Sequence, residues 1–320
     1  MKISISKRAR RVAQSLAAVL VVALVVYFFR NQFIKNWEQL RNARFSLNYG
    51  FLVLSFVCIL FSYLVITAMW RNGMNFLSTA RKFSFTESIG MVNTTQLTKY
   101  IPGKVWGYAM QMALVDRSSL PVSAVLYVNI LLALTNSFLA LTVGGLYFCL
   151  SSLLITRSVA IIATAALILA YVFFLLFNGR FFTLLIRFSE LILKRKIISY
   201  QIGRSEMARL QVLSLISTLA FGLSAVLCSW GIGFRTSPQV AWSVCAGFLF
   251  SDTVGFLAFF VPGGIGVREG LFYLVLSEYG AGALALILPI AMRLMSMLVD
   301  ALLGLLGLVY LRKYMNEGAN

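Results

Sequence analysis

Histidine is missing from this chain, and carboxylates are scarce: 10 acidic residues stand against 28 basic ones, for a formal net charge of +18 over 320 positions. Without histidine, the usual zinc and haem sites lose their commonest ligand. The four cysteines, Cys58, Cys149, Cys228 and Cys245, lie in apolar segments with no CxxC spacing. They read as small core residues, and no metal or other cofactor is expected. No Gly-x-x-x-x-Gly-Lys-[Ser/Thr] loop occurs, so ATP hydrolysis by this chain is not expected either. Charge of any sign is rare, at 12% of residues, about half the share typical of soluble domains.

What is present is apolar. Hydrophobic residues make up 60% of the chain, and the mean hydropathy is +0.87. Several uninterrupted apolar runs reach the ~20 residues that cross a bilayer as helix. They are continuous and not alternating, which excludes a membrane β-barrel. The fold class is therefore an all-α polytopic membrane protein. The basic residues cluster beside the apolar runs, as the positive-inside rule and anionic headgroups require, so no nucleic-acid partner is expected.

Six spanning helices are expected, at about 12–29, 47–70, 121–154, 158–177, 210–230 and 280–311. The first follows Lys7-Arg8-Ala-Arg10-Arg11 and is too long for a signal peptide, so it reads as a retained helix with the N-terminus inside. Segments assigned to the cytoplasm carry 18 Lys and Arg, the outside segments 6. This places both termini on the cytoplasmic side of a cytoplasmic membrane.

Between the second and third spans lies Phe85–Val115, with Glu87, Asn93, Gln96, Lys99 and Lys104. It is too polar for a lipid-facing helix, and it is broken by Pro102-Gly103. Trp242–Glu278 is built alike, with its break at Pro262-Gly263. Each reads as a re-entrant helical hairpin, tolerated at membrane depth where protein buries it or it lines a cavity.

Sliding the chain by 160 positions lays Trp70 on Trp230, Gly73 on Gly233, Pro102-Gly103 on Pro262-Gly263 and Gly144 on Gly304. The chain thus reads as a single membrane domain of two repeats, 1–157 and 158–320. Three crossings per repeat is an odd number, so the second must be inverted. Broken helices at corresponding positions of inverted repeats point to a transport site at the repeat interface.

In each hairpin a half-helix starts after Pro-Gly, and its free N–H groups favour anions. Lys99 and Lys104 surround the first tip and Arg268 the second, which predicts a phosphate site of Lys99, Pro102, Gly103, Lys104, Pro262, Gly263, Gly264, Gly266 and Arg268. Glycines 263, 264 and 266 would allow backbone to approach the phosphate. Asp252, Glu269, Arg293 and Asp300 are the remaining intramembrane charges, expected to orient groups or couple ions. Arg293 and Asp300 share a helix face two turns apart, so a direct pair is not assured. Asn129 and Asn136 are expected to bond between helices.

The motif Pro262-Gly-Gly-Ile-Gly-Val-Arg268-Glu269, preceded by the Pro102-Gly103 hairpin, resembles the lysylphosphatidylglycerol synthase transmembrane-region family, over nearly the whole chain. In the synthases such a module moves aminoacylated phospholipid between leaflets, while a soluble domain makes it. Only Tyr314–Asn320 follow the last expected span, so the resemblance implies translocation without aminoacyl transfer. Stand-alone relatives are associated with polyprenyl-phosphate-linked saccharides. The expectation is a non-enzymatic flippase for an anionic phospholipid or polyprenyl-phosphate-linked saccharide, in contact with glycan-assembly or lipid-modifying proteins. The alternatives are a membrane-embedded transferase using Glu87 or Asp116, and a scaffold docking through the basic loop Asn178–Arg209.

Overall fold

The computed structural model describes residues 34, 46–78, 82–100, 106–116, 122–151, 156–177, 179–180, 183, 200–234, 236–258, 261, 264, 266–278 and 283–317. The expected first span, Pro102-Gly103, Lys104 and Pro262-Gly263 lie outside these residues. The principal helices are α1 (Tyr49–Leu77), α2 (Phe85–Gln96), α3 (Trp106–Asp116), α4 (Val122–Ser151), α5 (Arg157–Leu176), α6 (Arg204–Gly231), α7 (Pro238–Leu257), α8 (Val267–Ser277) and α9 (Ala283–Glu317). A single 3-10 turn, Leu97–Tyr100, continues α2. No strand occurs among the described residues.

The helix ends follow local chemistry. The Asn48 side chain accepts from Phe51 N at 3.3 Å and caps α1. Ser84 and Glu87 form a reciprocal capping box on α2, Glu87 N donating to Ser84 Oγ at 3.2 Å and Ser84 N donating to Glu87 Oε2 at 2.9 Å. Ser237 caps α7, with Pro238 in its first turn where no donor is lost.

Among the described residues, six helices are long and apolar enough to cross a membrane: α1, α4, α5, α6, α7 and α9. This set lacks the expected first span, which lies outside the described residues, and includes α7, which overlaps the expected second hairpin. The helix starts at Pro238 and runs 20 residues, about 30 Å at ~1.5 Å per residue, a full hydrocarbon thickness. By contrast α2, α3 and α8, of 12, 11 and 11 residues, span under ~20 Å each. Large apolar side chains face outward on α1, α5 and α9, for example Val57, Ile162, Leu169, Leu298 and Leu305. Such a girdle suits hydrocarbon and not water.

Close approach of small residues sets the packing. Helices α1 and α6 run antiparallel: Asn48 N donates to Gly231 O at 2.8 Å, Ser55 Oγ donates to Ser224 O at 2.7 Å, and the Ser62 and Ser217 hydroxyls meet at 2.9 Å. Helix α2 lies on α9, while α4 lies on α7. The order α1–α4 recurs as α6–α9, and the starts of α3 and α8, like those of α4 and α9, are 161 positions apart.

Gly304 makes the α9 crossing possible, because a Cβ there would lie 2.6 Å from Leu97 Cγ. Gly304→Leu is expected to cost about 1–3 kcal/mol through overpacking, read as a lowered unfolding temperature in detergent. Gly270→Ala, with open space around the added carbon, should leave that temperature nearly unchanged.

Candidate functional site

A cavity of about 360 Å³ opens among α1, α2, the 3-10 turn, α3, α4, α6, α7 and α8. The charged residues lining it are Lys99, Asp252 and Arg268, and Gln96, Tyr108, Gln111, Asn129 and Asn136 supply much of the remaining polar surface.

Lys99 sits on the 3-10 turn that ends α2. Its Nζ donates to both oxygens of Asp300 on α9, at 2.8 and 2.6 Å, and the Asp300 side chain is 1% exposed. The same ammonium lies 5.6 Å from the centre of the Tyr63 ring, a cation–π distance. Arg268 and Arg293 are close enough to act on Lys99 electrostatically.

Arg268 is in the first turn of α8. Its Nη1 donates to Asp252 Oδ1 at 2.5 Å, while its buried Nε has no partner among the described residues. The arginine lies on two glycines: a Cβ on Gly255 would sit 2.1 Å from Arg268 Cγ, and one on Gly264 would sit 2.9 Å from Nε and 2.6 Å from Gly255 O. Gly264 also has φ +67° and Gly266 φ +84°, where a side chain is strained. The missing Cβ of Gly264 makes room for Arg268 and the Gly255 carbonyl. Gly264→Ala should lower stability by roughly 1–3 kcal/mol and displace Arg268 from Asp252, seen as loss of that ion pair in a structure of the variant.

Glu269 accepts from Gly266 N at 2.6 Å and so caps α8, while Arg293 Nε approaches its other oxygen at 3.8 Å. A chamber of about 30 Å³, room for a single water, lies beside Ser251, Arg268, Glu269 and Arg293. Asp300 pairs with Lys99 on the 3-10 turn, and Arg293 with Glu269 on α8. Of the expected site, Lys99, Asp252 and Arg268 share the main cavity, Asp300 reaches it through Lys99, and Glu269 and Arg293 line the small chamber.

The Asn129 and Asn136 expectation holds. Asn129 Nδ2 donates to Gln111 Oε1 at 2.7 Å, joining α4 to α3, and Asn136 Oδ1 accepts from Ser214 Oγ at 2.5 Å, joining α4 to α6. Gln111 Nε2 donates onward to Thr95 Oγ1 at 2.9 Å. Tyr63, Tyr108 and Gln111 are cavity residues that the sequence reading did not single out; a buried Gln111 inside an otherwise apolar helix was the available signal. Glu87, a candidate for transferase chemistry, is engaged in the cap of α2.

The profile of the lysylphosphatidylglycerol synthase TM region matches residues 15–304. The chain belongs to that family. The match covers nearly the whole chain, and with six apolar helices of spanning length among the described residues it makes this a multi-pass membrane protein. No curated protein matches the chain. The Pro262–Glu269 motif that carried the resemblance begins before α8 and ends in its first turn, where Arg268 and Glu269 take up their two carboxylate and arginine partners.

Proposed function

We propose that the protein moves the phosphate headgroup of an anionic membrane lipid between leaflets, using the cavity that holds Lys99 and Arg268. The observation that carries this reading is the pairing of those two cations with carboxylates inside a cavity walled by spanning helices. A charged side chain at membrane depth is costly and marks a functional site by default. A lipid phosphate would exchange with Asp300 on Lys99 and with Asp252 on Arg268, and the carboxylates would take the cations back on release. The cations then never stand unpaired. No bond in the lipid is made or broken, so the activity is transport and not catalysis.

Alternating access is the motion that fits. Helices α1 and α6 occupy corresponding places in the order of elements and run antiparallel, as equivalent helices of inverted repeats do. The exchange α2-on-α9 and α7-on-α4 suits two halves related by a two-fold. In this reading α2, the turn and α3 form a re-entrant hairpin, and lipid-modifying or glycan-assembly proteins deliver or collect the lipid.

Reconstitution tests this. Vesicles carrying fluorescent phosphatidylglycerol in both leaflets are treated with a membrane-impermeant quencher. With the protein present, the inner-leaflet probe is also quenched over minutes. Quenching confined to the outer leaflet, as in protein-free vesicles, would sink the reading.

A further inference from the structure

Three ion pairs meet around the cavity: Lys99 with Asp300, Arg268 with Asp252, and Arg293 with Glu269. Their charges cancel. Both arginines also act on Lys99 electrostatically, so the pairs behave as one neutral cluster. A lipid phosphate that binds there adds a negative charge beyond what these six side chains balance, and an uncompensated charge at membrane depth is costly.

The two carboxylates that the phosphate displaces are placed differently. The Asp252 side chain is 25% exposed and lines the cavity, so water can hydrate it when Arg268 turns to the lipid. The Asp300 side chain is 1% exposed and reaches the cavity only through Lys99. One helical turn further on, Gly304 lets α9 close on Leu97, the first residue of the turn that carries Lys99. That close approach keeps Asp300 out of bulk water.

Both oxygens of Asp300 accept from Lys99 Nζ, at 2.8 and 2.6 Å. Transfer of the ammonium to a phosphate withdraws that donor from a buried carboxylate, which then neutralises by taking up a proton. The other cations nearby are engaged: Arg268 faces the phosphate, and Arg293 stays with Glu269 at 3.8 Å. Of the other elements against α9, α1 presents the Tyr63 ring to the same ammonium, and α6 brings the Cys228 thiol into the core cluster that holds Val299. Helix α2 carries Glu87 in the cap at its far end. None of these three supplies a positive charge.

Resting on the transport reading above, we infer that the protein is a proton–lipid symporter: each lipid phosphate that takes Lys99 from Asp300 brings a proton onto the Asp300 carboxylate, and lipid and proton leave together on the other side. The proton comes from water on the side where the lipid enters, through the space that Lys99 vacates. It converts the carboxylate to a carboxylic acid and returns to water as Lys99 and Asp300 re-form their pair. The cargo is one anion with one proton, so the transport step is electroneutral.

Two measurements on the full-length protein test this. The first uses reconstituted vesicles with fluorescent phosphatidylglycerol, a diester that keeps a single negative charge near neutral pH, and reads its steady-state distribution between leaflets. One pH unit across the membrane should build about a tenfold excess in the leaflet facing the alkaline side, beyond any in protein-free vesicles. A potassium diffusion potential of about 60 mV at equal pH, enough to distribute a bare singly charged lipid tenfold, should leave the leaflets equal. Distribution that follows the potential and not pH, or that answers only to a sodium gradient, overturns the inference and spares the transport reading. Absence of exchange under every condition overturns both.

The second needs no transport. Short-chain phosphatidylglycerol is added to the protein in weakly buffered detergent with a pH indicator, and about one proton should be taken up per bound lipid. Headgroup affinity should strengthen as pH falls, by up to about tenfold per unit. Lipid binding without proton uptake overturns the inference. Asp300→Asn, which is neutral at every pH, should bind lipid with no uptake and no pH dependence, and its residual exchange should follow the potential. Asp252→Asn should keep the uptake. Uptake lost in Asp252→Asn and kept in Asp300→Asn overturns the assignment to Asp300; if either variant fails to fold, the two measurements on the unaltered protein still decide the coupling.

Discussion

Replacing Arg268 by alanine is expected to abolish leaflet exchange of anionic lipid, with a fall of at least about a hundredfold. The magnitude follows from two losses. A charge-assisted hydrogen bond to phosphate disappears, at ~1.5–3 kcal/mol, and Asp252 is left as a half-buried carboxylate without its cation, which repels the incoming headgroup. Arg268→Lys keeps the charge but not the planar fork, and its shorter reach from the Gly255–Gly264 bed should give partial activity. A stability confound is separable. Arg268→Leu with Asp252→Leu removes both charges, and apolar replacement of a buried pair is often neutral for folding. That double variant is expected to unfold near the wild-type temperature and still move no lipid. Full activity in the double variant would show that the pair serves packing alone.

Asp300→Asn should produce the second large effect, and it has two opposing parts. Without lipid, Lys99 loses the carboxylate at 2.6–2.8 Å that holds it; breaking a buried pair from one side costs about 3–5 kcal/mol. The unfolding temperature in neutral detergent should fall accordingly. Anionic lipid should then restore it, because phosphate meets Lys99 without competition from Asp300. Headgroup affinity is expected to rise by about tenfold, a gain of ~1.4 kcal/mol, while exchange slows because nothing displaces the phosphate for release. Calorimetry with and without lipid reads the first part, and the vesicle assay reads the second. Lower affinity together with unimpaired exchange would contradict the competition between Asp300 and phosphate.

The class of the protein and the location of its charges were legible in the sequence because each rests on local signals. Continuous apolar runs gave α1, α4, α5, α6 and α9 within a few residues at most ends. The proline and glycine pairs marked the places where α3 and α8 begin a few residues later. The pairing of Lys99 with Asp300 was not legible, because 201 positions separate them and only the laying of α2 on α9 brings them together. Arg293 and Asp300 share one face of α9, yet their ion pairs with Glu269 and Lys99 reach to other elements, which spacing along one helix does not encode. The break at Pro262-Gly263 marked Trp242–Glu278 as a hairpin, but it did not show how long α7 would be. Asp252 is neutralised by Arg268, so the helix can run its full 20 residues in an apolar setting. The roles of Gly255 and Gly264 depend on where a side chain sixteen residues downstream of Asp252 comes to rest, which no periodicity encodes.

The central claim is that a lipid phosphate occupies the cavity between Lys99 and Arg268. A cryo-electron microscopy structure of the protein in nanodiscs of anionic lipid tests it most directly. The account predicts phosphate density within hydrogen-bonding distance of Lys99 Nζ and the Arg268 guanidinium, with the acyl chains leaving between spanning helices. Phosphates found only along the outer faces of α1, α5 and α9, with the cavity holding no headgroup, would contradict it.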